Sequence, residues 1–315
     1  MKQLSRREVL ELAATVAALP IGVNAQTAAS PANTLRFFPG FTAKRVKTSG
    51  AEINLVHAGS GPPLLLMHGA PQTHVSMRLI APELAKDYTV VVTDLRGYGD
   101  SSKPPDGENH AYYSKRAMAL DQVEVMKSFG FDKFAVVGHD RGGRVGHRMA
   151  LDHPPKITKL AVLDIVPTYY LYTHVDIRFI QSYFHWFNNV RAAPAPENDL
   201  KAQYEAQKAR TTNEVQLEYL RTSSDPANIH ALCEDYRAGA SIDLQHDAAD
   251  LSKKIVCPLL TLWGLKGPMG RIYDVLAIWK ERGGTVTGKG LNGGHNLQED
   301  VPEEVLAEIR PFLKA

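Results

Sequence analysis

The sequence predicts an α/β fold in which a mostly parallel, doubly wound sheet carries a helical lid inserted between two of its strands. Three observations carry that expectation. Short apolar runs recur without polar alternation, at Leu64-Leu65-Leu66-Met67, Val90-Val91-Val92, Phe134-Ala135-Val136-Val137, Leu160-Ala161-Val162-Leu163 and Leu259-Leu260-Thr261-Leu262. Runs of this kind suit parallel strands covered on both faces. Amphipathic stretches around 76–86, 113–129 and 141–152 separate the early runs, and strand–helix repetition builds a doubly wound sheet. The rhythm then breaks after Pro167, where a stretch rich in aromatics and helical patterns intervenes before a strand returns near Leu259.

In chain order, residues 1–25 read as a cleavable export signal. Lys2, Arg6 and Arg7 form a basic head, and no charged residue follows between Leu12 and Leu35. The apolar part, Leu12 to Val23, is too short to span a bilayer and holds Pro20 and Gly22. Val23-Asn24-Ala25 offers small side chains where a signal peptidase cuts, and Ser5-Arg6-Arg7 resembles a twin-arginine signal. The expected address is therefore periplasmic or secreted, with no stable membrane association after the signal is removed. Residues 26–35 read as a linker, 42–47 and 52–57 as an antiparallel hairpin, 36–166 and 256–315 as the core, and 167–255 as the lid.

The chain has 315 residues and a formal net charge of +2, with 44% hydrophobic and 22% charged residues. These proportions exclude a disordered tail, a collagenous repeat and a disulfide scaffold. Near-neutrality gives no general attraction to nucleic acid. An oxidising address permits a bridge between Cys233 and Cys257, but the two fall in different substructures and folded export argues for free thiols.

The chemistry concentrates where the run Phe134–Val137 meets Gly138-His139-Asp140-Arg141-Gly142-Gly143 and a helix opens. Glycines two before and two after a central residue allow a tight strand-to-helix turn that pushes the central side chain out at the sheet's carboxyl edge. Here that residue is Asp140 rather than the usual Ser. A serine attacking saturated carbon forms an ether with no easy exit, whereas a carboxylate forms an ester that water cleaves. An Asp at this turn points to displacement at saturated carbon, by dehalogenation or epoxide opening, and needs no cofactor.

The chain resembles the haloacetate dehalogenases, including fluoroacetate dehalogenases, of the α/β-hydrolase superfamily. The resemblance runs from about Phe41 to the C-terminus and rests on residues 68–74, 94–99, the Asp140 turn, 163–168, His185-Trp186, 233–239 and 294–297. It implies the α/β-hydrolase fold, a small anionic substrate and a protein often found as a homodimer. It also implies that His295, one of twelve histidines, is the base that activates water. The acid orienting that base has two common locations. The stretch 263–268 contains no carboxylate, so both elimination and resemblance select Asp164.

Arg141 and Arg144 are three apart on the helix after Asp140, so both guanidinium groups fall on one side beside it. Their planar donors suit a substrate carboxylate and keep Asp140 ionised. The alternative is a solvated basic face that also includes Arg148. By resemblance, His185, Trp186 and Tyr236 receive the halide. Tyr236 also falls on the apolar face set by Ile229, Leu232 and Cys233, in a helix started by Asp225-Pro226. Ala70 and Arg141 would offer backbone N–H groups to the tetrahedral intermediate, and the family generally has a bulky aromatic at the Ala70 position. No metal motif occurs; His147 and His153, six apart, suit no helical metal face. The rival readings are an epoxide hydrolase, with Tyr169, Tyr170, Tyr183 and Tyr236 as candidate proton donors, and a non-catalytic binding protein.

Overall fold

A computed structural model describes residues 31–315, so the expected export signal lies outside the described residues. Eight strands form one sheet: β1 (Thr42–Lys47), β2 (Glu52–Ala58), β3 (Pro63–Met67), β4 (Thr89–Thr93), β5 (Phe134–His139), β6 (Ile157–Leu163), β7 (Leu259–Gly264) and β8 (Val286–Leu291). Their order is β1-β2-β4-β3-β5-β6-β7-β8, with β1 and β2 antiparallel and every pairing from β4 onward parallel.

The apolar runs are explained by the two faces. Successive side chains of a strand point to opposite sides. Leu65, Met67, Val136, Leu160 and Val162 enter one core with the lid, while Leu64, Leu66, Val137, Ala161 and Leu163 enter the other with the C-terminal helix. Helix Arg141–Asp152 is buried along nearly its whole length, so its glycines let it lie directly on the sheet. Strand β3 pairs with β4 on one side and β5 on the other, with Met67 facing Gly138 across the latter pair. The chain direction across the sheet reverses there, and a crevice opens at the carboxyl ends of β3 and β5.

Between β6 and β7 the chain is helical, running from Thr168–Thr173 through Ala195–Lys208 and Pro226–Gly239 to Ile242–Ala249. The expected helix at 76–86 is not continuous. A 3-10 turn covers His74–Met77 and a single α-turn covers Ala81–Leu84. Met77, Ile80, Ala81 and Leu84 are all buried, so the periodicity is real, but Pro82 has no N–H to continue a helix from the preceding turn. Residues 31–35 of the expected linker belong to a 3-10 helix, Pro31–Phe37, and Thr34 Oγ1 lies 3.1 Å from His74 Nε2. Cys233 and Cys257 are both free and buried.

Candidate active site

Strand β5 ends at His139 and the next helix begins at Arg141, leaving Asp140 alone in the turn at φ +42°, ψ −111°. A side chain rarely takes this left-handed conformation, and here the surroundings enforce it. The Gly142 N–H donates to His68 O at 2.9 Å, and the Arg144 N–H donates to Asp140 O at 3.0 Å. A Cβ on Gly142 would stand 2.5 Å from Met67 O, so only glycine allows the helix to approach β3 this closely. The turn thereby delivers the Asp140 carboxylate into the crevice, where the Ala70 N–H donates to its Oδ2 at 3.1 Å.

Asp164 follows β6, also at positive φ (+53°), and is fully buried. Its two oxygens are both used. Oδ1 accepts from the Gly264 N–H at 2.8 Å, and Oδ2 lies 2.6 Å from His295 Nδ1. With Nδ1 engaged, Nε2 of His295 is the nitrogen left to exchange a proton. A residue that sequence reasoning missed fixes the other side of this loop. His139 lies with Nε2 2.8 Å from the His295 carbonyl oxygen, and its ring centroid is 4.7 Å from that of His295. Burial above all, then the charge of His295, pushes His139 down to about 3, so it is neutral and donates to that carbonyl.

Electrostatics separate Asp140 from His295. Burial works against an ionised Asp140, but His295, Arg141 and Arg144 outweigh it and hold the carboxyl well below its ordinary range. Burial likewise works against a charged His295. The hydrogen bond to Asp164 and the charges of Asp140 and Asp164 prevail and raise its pKa above the ordinary 6.5.

A cavity of about 320 Å³ contains Asp140, Asp164, His295, Ala70 and Arg144 in its wall, together with His185, Trp186 and Tyr236 from the lid. Arg144 is 2% exposed and Arg141 1%, which removes the solvated-face reading; Arg148 is equally buried, ion-paired with Asp152, Asp247 and Asp250. Arg144 Nη1 donates to Val166 O and Thr168 Oγ1, and its Nε lies 3.9 Å from Asp140 Oδ1. Arg141 is not itself in the wall. Its guanidinium stacks 3.6 Å from the Tyr236 ring centre and 4.7 Å from that of Trp186, with Asp235 3.4 Å away. Among the described residues, Nε of Arg144 and all three guanidinium nitrogens of Arg141 lack a hydrogen-bond partner.

The family model of the alpha/beta hydrolase fold matches residues 62–301. A fluoroacetate dehalogenase from Burkholderia sp is 44% identical over 288 residues, covering 88% of this chain and 95% of the relative. The soluble epoxide hydrolase of Corynebacterium sp. (strain C12) is 32% identical, over 84% of this chain and 94% of that one. A crystal structure of an alpha/beta hydrolase-class protein from Nostoc sp PCC 7120 superposes with TM-score 0.84 at 52% identity, covering 87% of this chain and 98% of its own.

The chain belongs to the haloacetate dehalogenase family of α/β hydrolases. In this α/β hydrolase the three lid residues meet around one point. The Tyr236 ring stands edge-on to those of His185 and Trp186, at 5.8 Å and 5.6 Å between centres. His185 is exposed where it lines the cavity, yet burial of its ring and the Arg141 charge lower it to about 4, so it is neutral near pH 7. Sequence reasoning quoted Asp235 only within a motif; the fold makes it the partner of Arg141, Lys115 and Tyr98. It also named Tyr183 only for the rival reading. Tyr183 lines the same cavity, and its buried hydroxyl has no partner among the described residues.

Away from the cavity, Asp106, His230 and Glu234 bring one ligand atom each within 4.8 Å of one another, a convergence no motif foretold. His230 commits both ring nitrogens to Asp106 and Glu197, and Arg237 pairs with Glu234 and Glu197. The group is thus partly balanced by its own cations.

Proposed function

We propose that the protein hydrolyses a small 2-haloacid such as haloacetate to the 2-hydroxy acid and halide through an aspartyl ester. The observation that carries this is a pair of buried arginines beside Asp140: Nε of Arg144, in the cavity wall, has no hydrogen-bond partner among the described residues, and Arg141, ion-paired with Asp235, lies beside it. A buried cation with open donors is costly, and a carboxylate satisfies it in a planar, bidentate manner. Arg144 holds the substrate carboxylate from the cavity wall while Arg141 adds its charge from beside it. An Asp140 oxygen attacks the α-carbon as the carbon–halogen bond breaks. The halide leaves toward His185, Trp186 and Tyr236, which offer an N–H or O–H to the growing negative charge.

In the second half, His295 takes a proton from water, which attacks Cγ of the ester. The Ala70 and Arg141 N–H groups receive the oxyanion. Its collapse breaks the bond from Cγ to the alkyl oxygen, and the 2-hydroxy acid leaves with the proton held by His295. Asp140 is regenerated as its carboxylate with net release of one proton. The Asp164 hydrogen bond is the largest influence raising the His295 pKa, and esterification removes a second one, the Asp140 charge, which favours the neutral ring when water must be deprotonated. The reading is tested by detecting halide released from fluoro-, chloro- and bromoacetate by the purified protein. Release retained in Asp140→Asn, without deamidation back to Asp, would sink it.

One observation favours the epoxide hydrolase reading: Tyr183 and Tyr236 both line the cavity with Asp140. Diol formation without halide release identifies that chemistry. Export by the twin-arginine route is proposed from Ser5-Arg6-Arg7 and the uncharged stretch after it; signal processing in cell fractions tests it.

A further inference from the structure

We propose, resting on the dehalogenase reading above, that the preferred substrate is a 2-halogenated acid bearing an apolar chain on its α-carbon, and that only one of its enantiomers is turned over. The first argument is size. The cavity of about 320 Å³ corresponds to about ten water-sized shares of liquid volume at roughly 30 Å³ each. A haloacetate has only five heavy atoms. It would leave much of the cavity to water beside a nucleophile whose chemistry benefits from exclusion of solvent.

The second argument is where the unused volume lies. The reacting groups occupy one part of the wall. Another part comes from one stripe of helix Ala195–Lys208, where Leu200, Gln203, Tyr204 and Gln207 stand at i, i+3, i+4 and i+7. Leu232 and the small side chain of Ala70 line the same cavity. Leu200, Tyr204 and Leu232 are buried apolar groups that no step of the reaction uses. Pro71, Tyr204 and Gln207 also line a second cavity of about 740 Å³ on the same side of the site.

Stereochemistry follows from the same layout. The carboxylate is fixed at Arg144, and the halogen points to His185, Trp186 and Tyr236. The face opposite the halogen must meet Asp140. With three directions set, exchanging hydrogen and alkyl chain on the α-carbon moves the chain from Leu200, Tyr204 and Leu232 into the polar site. The Asp140 oxygen–carbon bond forms as the carbon–halogen bond breaks, which inverts the centre. Water then attacks Asp140 Cγ and leaves that centre untouched. The products are the inverted 2-hydroxy acid, halide and one proton.

The test compares bromoacetate with racemic 2-bromohexanoate and its separate enantiomers, using the full chain and Leu200→Trp. Halide release from the racemate is expected to stop at half conversion, leaving one enantiomer of bromo acid and an inverted hydroxy acid. The kcat/KM for the reactive enantiomer is expected to match or exceed that for bromoacetate. Leu200→Trp, which fills the stripe, is expected to lower that ratio by about tenfold or more, with bromoacetate turnover reporting that the variant is folded. Bromoacetate favoured over both enantiomers by about tenfold or more, equal consumption of the two, or a ratio unmoved by Leu200→Trp would each overturn the inference. Halide from none of these acids would instead overturn the dehalogenase reading.

Discussion

His295 Nδ1 and Asp164 Oδ2 lie 2.6 Å apart at the ends of different loops, and the second oxygen of Asp164 is held by the Gly264 N–H. The carboxylate therefore has one orientation available, and the imidazole takes its direction from it. Asp164→Asn keeps the shape but reverses the preference for which ring nitrogen is protonated. Turnover is expected to fall by about 10²–10⁴-fold, as for a mis-set histidine in such a triad. The displacement step as proposed does not use the imidazole, so a single burst of halide should survive. Rapid-quench halide measurement with mass analysis of the esterified protein checks both parts.

The raised pKa of His295 fixes the direction of the pH dependence. In the proposed mechanism water activation needs the neutral ring, so kcat is expected to fall as pH drops through the His295 pKa of the ester intermediate, while kcat/KM, set by the displacement step, should not follow it. Stability runs the opposite way. The gain from holding His295 protonated is full below the unfolded value of 6.5 and is lost as pH rises through the folded pKa. Parallel kcat and thermal-unfolding profiles check the prediction. A kcat profile without an acid limb, or a limb that Asp164→Asn does not shift, would contradict it.

Gly142 sets a packing limit that tolerates no side chain. Its Cβ would meet both the carbonyl and the side chain of Met67 within 2.6 Å, and neither partner is the free end of a flexible chain at that point. Gly142→Ala must push the helix off β3 and so spoil the turn at Asp140. A loss of more than about 4 kcal/mol is expected, the range reserved for such steric faults. The check is a chemical-denaturation midpoint, or failure to recover soluble protein.

Legibility in the sequence tracked how local the physics was. Strands buried on both faces advertise themselves as apolar runs, so β3 to β7 were readable from Leu64 to Leu262. The turn at Asp140 was readable because its two glycines answer a steric demand within five residues. The 76–86 stretch misled because burial and helical hydrogen bonding part company at Pro82. His139 carried no signal, since its role depends on a carbonyl 156 residues away. The burial of Arg148 was equally hidden, as its carboxylate partners Asp247 and Asp250 arrive only with the last lid helix and the turn after it.

Arg144 offers the sharpest test of the proposed anion site in this cavity. Its Nη1 is satisfied by Val166 O and Thr168 Oγ1, but Nε is unpaired among the described residues and Asp140 is too distant to bond it. Burial lowers its pKa, a sign that its charge is only partly compensated without a ligand. A bound carboxylate would relieve this, so acetate or glycolate should raise the unfolding temperature by mass action. In Arg144→Gln that increment should vanish. The kcat/KM for a haloacid should fall about 10–100-fold, the worth of one charge-assisted hydrogen bond of about 1.5–3 kcal/mol. Arg144→Lys restores a charge but not the planar fork, so it should recover only part of the loss. Equal stabilisation of wild type and Arg144→Gln by acetate would show that the anion binds elsewhere.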